Sequence, residues 1–101
     1  MFDKKYSTQE VAETLGLDIQ MILWSMIDKW KKEGVTVDYL QVYELSIECA
    51  CGEVYQKIKH SQEIPKKTEI FYYKSIDRPV NDKIFIIDED GTGVMMFSNE
   101  Y

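Results

Sequence analysis

The spacing of apolar residues changes once along the chain. Ile19, Ile22, Leu23, Met26, Ile27 and Trp30 recur at steps of three and four, which predicts an α-helix over residues 18–33 with a single apolar stripe. Asp18 stands where an N-cap is wanted, and Gly34 where a left-handed residue ends a helix. Lys29, Lys31 and Lys32 complement the helix dipole in the last turn. Beyond Val37 the period falls to two. Segments 39–48, 54–62, 68–74, 83–88 and 94–97 are rich in Tyr, Phe, Ile and Val, and predict five strands. Turn-prone residues separate them: Gly52, Pro65, the stretch around Pro79, and Asp90-Gly91. Every connection is too short for a crossover helix, so neighbouring strands are expected to be antiparallel. The fold class expected is α+β, with one main amphipathic helix packed on an antiparallel β meander of about five strands. With 101 residues, one domain is expected over 1–101.

The N-terminal segment reads two ways. Ser7-Thr8-Gln9-Glu10 fits a capping box ahead of a short helix ending at Gly16, while Tyr6, Thr8 and Val11 fit an edge strand.

A turn at Cys51-Gly52 sets the pairing of the first two strands, with partners summing to 103. Glu44 then faces Lys59 on one side of the sheet. On the other side Leu45 meets Ile58, Tyr43 meets His60, and Gln41 meets Gln62. Opposite charges on one face and apolar pairs on the other are what a half-buried ladder requires, so the helix is expected over the Leu45 and Ile58 face. This places His60, the only histidine, on the covered side. Gln41, Tyr43, His60 and Gln62 are therefore pocket candidates, with His60 titratable near neutral pH. The alternative is a buried polar cluster whose members satisfy one another.

Composition narrows the chemistry. Twelve basic residues against eighteen acidic give a net charge of −6, which repels a phosphate backbone at long range. No apolar run is long enough to span a membrane, and no signal peptide is evident, so a cytoplasmic location is expected. Cys49 and Cys51 fit a reducing compartment. Together with His60 they are too few for a metal centre, and the register separates His60 from Cys49 by about 20 Å. Small buried or turn residues are the expected role of the two cysteines. There is no nucleophile elbow and no phosphate-binding glycine loop, so neither catalytic residues nor a cofactor are expected. Residues 88–92 carry a fragment of a calcium-loop pattern, but the twelfth position is Asn99, and a hairpin turn explains the stretch.

Ala12, Gly16 and Ile22 match helix-turn-helix spacing. The reading positions would be Asp18, Ile19, Gln20, Met21, Leu23 and Trp24, of which four are apolar and none is basic. This argues against direct nucleic-acid binding. Met21 and Trp24 lie outside the core stripe of the helix. Either the N-terminal segment covers the indole, or the two residues form an interface with a second copy or another protein.

Residues 22–28, 38–45, 56–63 and 83–88, read in order, resemble domain-of-unknown-function family 960, small proteins of Gram-positive bacteria and their mobile elements. The likeness runs from about Leu17 onward. It implies an α+β fold, a cytoplasmic location and an extended N-terminal segment, with no agreed catalytic residues. Trp24, Asp38, Gln41, His60, Gln62 and Glu63 fall inside its motifs. The function expected is a non-enzymatic protein–protein interaction module. The alternatives are a ligand or catalytic pocket around His60, and a nucleic-acid role through a degenerate helix-turn-helix or an acidic surface imitating a duplex.

Overall fold

In the computed structural model, which describes residues 1–101, the chain runs β1 (Lys4–Ser7), α1 (Gln9–Thr14), α2 (Leu17–Lys32), β2 (Leu40–Ala50), β3 (Glu53–Gln62), β4 (Lys67–Tyr73), β5 (Asp82–Glu89) and β6 (Thr92–Phe97), then a single 3-10 turn, Ser98–Glu100. Helix α2 is the predicted amphipathic helix, and Ile19, Leu23, Met26, Ile27 and Trp30 are its buried stripe. Its start differs from expectation. Gly16 is the N-cap and Asp18 lies inside the first turn, where its carboxylate accepts from Ile19 N–H at 2.8 Å and from Asp77 N–H at 3.2 Å. The acid still sits at the positive end of the dipole. At the other end Gly34 takes φ +79°, which lets its N–H reach Lys31 O and Val35 N–H reach Trp30 O.

The helix reading holds, and of Tyr6, Thr8 and Val11, named for an edge strand, only Tyr6 lies in one. A strand runs to Ser7 and a helix begins at Gln9. Thr8, not Ser7, is the N-cap, its hydroxyl accepting from Val11 N–H at 3.3 Å. The extended segment implied by the family resemblance therefore stops short of Gly16.

The sheet has six strands in the order β1-β6-β5-β2-β3-β4. The five predicted strands pair antiparallel, and β1 lies parallel to β6 at one edge, so the sheet is mixed. It is not a simple meander either. The hairpins β2-β3-β4 and β5-β6 are joined by residues 74–81, which carry the chain from the β4 edge back to the far side of β2. Strand length alone could not reveal this, because eight residues are ample for the roughly 15 Å across three strand spacings. A buried glutamine holds the crossover: Gln56 donates to Val80 O at 3.0 Å and accepts from Val80 N–H at 2.7 Å.

The register of β2 and β3 is the expected one, with Glu44 opposite Lys59, Leu45 opposite Ile58 and Tyr43 opposite His60. The turn is the pair Cys51 (φ +52°) and Gly52 (φ +76°), as a two-residue hairpin of this twist demands. Cys49 and Cys51 are both exposed free thiols: Cys51 is a turn residue as expected, whereas Cys49 is neither buried nor in the turn. Cys49 is an outer-end strand residue and Cys51 a turn residue, so neither has a core to enter.

Helix α2 covers the Leu45 and Ile58 face. Its start lies beside Tyr72 and Tyr73 of β4, and its last turns reach Glu69 near that strand's beginning. Its opposite flank meets the N-terminal segment. Trp24 is half-buried there against Gly93 of β6, and Phe2 closes on the same glycine. A Cβ at Gly93 would stand 2.8 Å from the Phe2 ring and 3.0 Å from the Trp24 ring. Gly93→Ala is thus expected to cost about 1–3 kcal/mol by overpacking. Combined with Trp24→Leu it should cost less than the sum of the two changes. Urea denaturation of the four proteins checks this, and simple additivity would contradict the packing described.

Candidate functional site

The covered face of β2 and β3 alternates apolar and polar residues, and its polar members collect at one end. Gln41, Tyr43, His60 and Gln62 are all buried there. The imidazole of His60 lies flat between two aromatic rings. Trp30 of α2 stacks on one side at 3.9 Å and 12°, and Tyr43 on the other at 4.4 Å and 8°. Tyr43 in turn donates its hydroxyl to Leu23 O of α2 at 2.8 Å, tying helix to sheet. Desolvation holds its phenol well above the usual tyrosine range.

The hydrogen bonds run in one direction. His60 Nε2 lies 2.7 Å from Gln41 Oε1, which can only accept, so the imidazole carries its proton on Nε2. Gln41 donates to Asp38 O at 2.8 Å and to Gln62 Oε1 at 2.9 Å. Gln62 accepts Asp38 N–H as well, and donates to Thr36 O and Pro65 O. Each amide N–H of both glutamines is used. The atom left over is His60 Nδ1, which is buried and has no partner. An unpaired acceptor is tolerable between two rings, but a proton there would be a buried cationic donor with nothing to receive it. Desolvation accordingly lowers the His60 pKa to about 3, outweighing the attraction of Glu69 and reinforced by the repulsion of Lys29.

Two residues complete the cluster that the sequence pattern did not single out. Trp30 donates its indole N–H to Glu69, which pairs opposite His60 on β4 and also holds Lys29 at 3.1 Å. The indole hydrogen bond first, then Lys29, hold the Glu69 carboxyl below its usual range. The period-2 alternation of β4 puts Glu69 on the helix side with Phe71 and Tyr73, and that was the signal available for it. For Trp30 the signal was its place on the core stripe.

Of the two readings of Gln41, Tyr43, His60 and Gln62, the buried cluster whose members satisfy one another is the one the structure shows. The four candidates come together, yet as a closed cluster rather than a cavity. Neither His60, Tyr43 nor Gln41 lines any surface cavity. Gln62 alone reaches one, a depression of about 580 Å³ on the open face of the sheet, beside Asp38 and Glu63. The interface candidates also separate. Met21 is 64% exposed, whereas Trp24 packs against the core. Of the would-be DNA-reading positions, Ile19, Gln20 and Leu23 are buried; Gln20 is spent on Leu15 O and Val11 O. No group of three or more His, Cys, Asp or Glu is placed to hold a metal ion, and no helix is long and apolar enough to cross a membrane.

The fold and its closed imidazole cluster define a small α+β protein built on a helix-covered mixed sheet. Residues 4–100 match the family described as "Staphylococcal protein of unknown function (DUF960)", and the chain belongs to that family. It is similar to a solved structure, the crystal structure of a protein of unknown function from Enterococcus faecalis. The TM-score is 0.73 at 19% identity, over 98% of this chain and 91% of that one, a likeness of fold. No curated protein matches.

The neutral histidine makes stability depend on pH. The folded pKa lies below the unfolded one, so stability is full above about pH 6.5 and is lost as pH falls toward about 3. Between pH 7 and pH 5, where carboxylates barely titrate, the loss should be about 2 kcal/mol. His60→Phe should flatten that slope, whatever its own cost. Urea midpoints of both proteins at the two pH values decide it; parallel slopes would refute the assignment.

Proposed function

We propose that the protein is a non-enzymatic protein–protein interaction module of the cytoplasm. The observation that carries this reading is an apolar groove at the start of α2. Met21 and Ile22 of the helix face Tyr72 and Tyr73 of β4 and Ile76 of the crossover across a hollow of about 570 Å³. Met21 stands in water at its rim, a flexible, polarisable side chain of the kind enriched at binding surfaces. Trp24, the other candidate, has its ring engaged with Gly93 and leaves the role to Met21.

Catalysis draws no comparable support. His60 is uncharged near neutral pH and sealed between Trp30 and Tyr43, with no nucleophile against it. A general acid or base must reach its substrate as well as carry a suitable pKa. The exposed thiols Cys49 and Cys51 accord with a reducing compartment.

Met21→Glu tests the reading. Because the residue is exposed, the change should move stability by no more than about 0.5 kcal/mol. It should at the same time abolish self-association measured by light scattering, or the retention of partners on the immobilised protein. If mass and bound partners are both unchanged, this surface is not the interface.

A further inference from the structure

We infer that the free edge of β4 binds an extended acidic segment of another protein by adding it as a seventh strand. The inference rests on the interaction reading above and supplies the chemistry of the partner. Strand β4 closes one side of the sheet and pairs with β3 alone. Its seven consecutive residues pair without a bulge and contain no proline, so of the usual protections of an edge only charge is present, Lys67 at its head and the inward-turned Glu69. The other edge, β1, has only four residues. On β4, Ile70 is 47% and Tyr72 53% exposed, both on the open face, and the Met21 groove lies at the strand's end. An incoming strand would meet Ile70 and Tyr72 with alternate side chains and run its last apolar one toward Met21.

Charge decides what kind of strand this is. Residues 53–78 hold six basic and four acidic side chains, while the rest of the chain holds six basic and fourteen acidic. This stretch, the β3-β4 hairpin with the start of the crossover, thus carries a small positive excess on a protein of net charge −6, although Lys57, Lys59 and Lys74 in it are paired with Glu48, Glu44 and Glu53. Lys66 and Lys67 at the head of β4 and Arg78 beyond its end form no ion pair. A second copy joined edge to edge would bring two sets of these cations together, whereas acidic residues flanking an apolar strand would neutralise them.

The test is selection of binders to the intact protein from a random library of 12-residue peptides, followed by amide NMR of the labelled protein with the selected peptides. Peptides enriched in Asp and Glu around alternating apolar residues are expected. They should shift the amides of Lys67–Tyr73 and slow their hydrogen exchange. Lys66→Glu combined with Lys67→Glu should weaken them at least tenfold, and so should raising salt from 50 to 500 mM. Enrichment of basic or uncharged peptides, or no enrichment, overturns the inference. Shifts confined to Met21, Ile22 and Ile76 overturn strand addition but leave the interaction reading standing. Protection of β4 that rises with protein concentration in the absence of peptide overturns it in favour of a second copy. If Met21→Glu changes neither mass nor partners while acidic peptides still bind β4, the earlier reading of the Met21 surface fails and the edge assignment survives.

Discussion

The offset at which β2 meets β3 is the constraint on which the interior depends. With Leu45 opposite Ile58, the side chains of Tyr43, His60, Gln41 and Gln62 all turn toward α2. A slip of one residue would send that set to solvent and bring Glu44 and Lys59 inward. The offset is held at one end by the left-handed pair Cys51 and Gly52, and at the other by the amide of Gln62. That amide fastens both the approach to β2, through Asp38 and Thr36, and the exit from β3, through Pro65.

Glutamine has a repeated part in this interior. Gln20 receives the hydroxyl of Ser7 and satisfies the last carbonyls of α1, Gln56 holds the crossover by two backbone contacts to Val80 and bonds Ser46 O of β2 as well, and Gln62 fastens two loops. Each reaches a stretch of irregular backbone whose polar groups would otherwise be buried without partners. An amide suits the task because it donates and accepts at once without carrying charge. Glutamate or lysine in these places would have to desolvate an ion.

What could be read from the residues follows from the range of the forces involved. Helix α2 was legible because its stripe and its terminal glycine are local, and the β2-β3 register because a tight turn links sequence separation to pairing. The polar end of the covered face came from the same arithmetic. Three things were not legible. The parallel partnership of β1 and β6 joins distant segments, the crossing of residues 74–81 depends on which sheet edge remains open, and the stacking of Trp30 on His60 depends on where α2 lies across the sheet. Trp24 shows the same limit. Its place off the stripe was visible, but not that Gly93 and Phe2 would receive the ring.

The pairing of the first strand with the last has a temporal consequence. Lys4 finds Thr92, so β1 has nothing to add to until β5 and β6 have formed their own hairpin. Such distant closure is slow, because the entropy of a long loop is lost before its contacts form. A nascent chain leaving the ribosome would therefore carry a completed α2 with the Trp24 flank uncovered. That flank is sealed only when the β5-β6 hairpin emerges, and until then its apolar surface is open to contact with neighbouring chains.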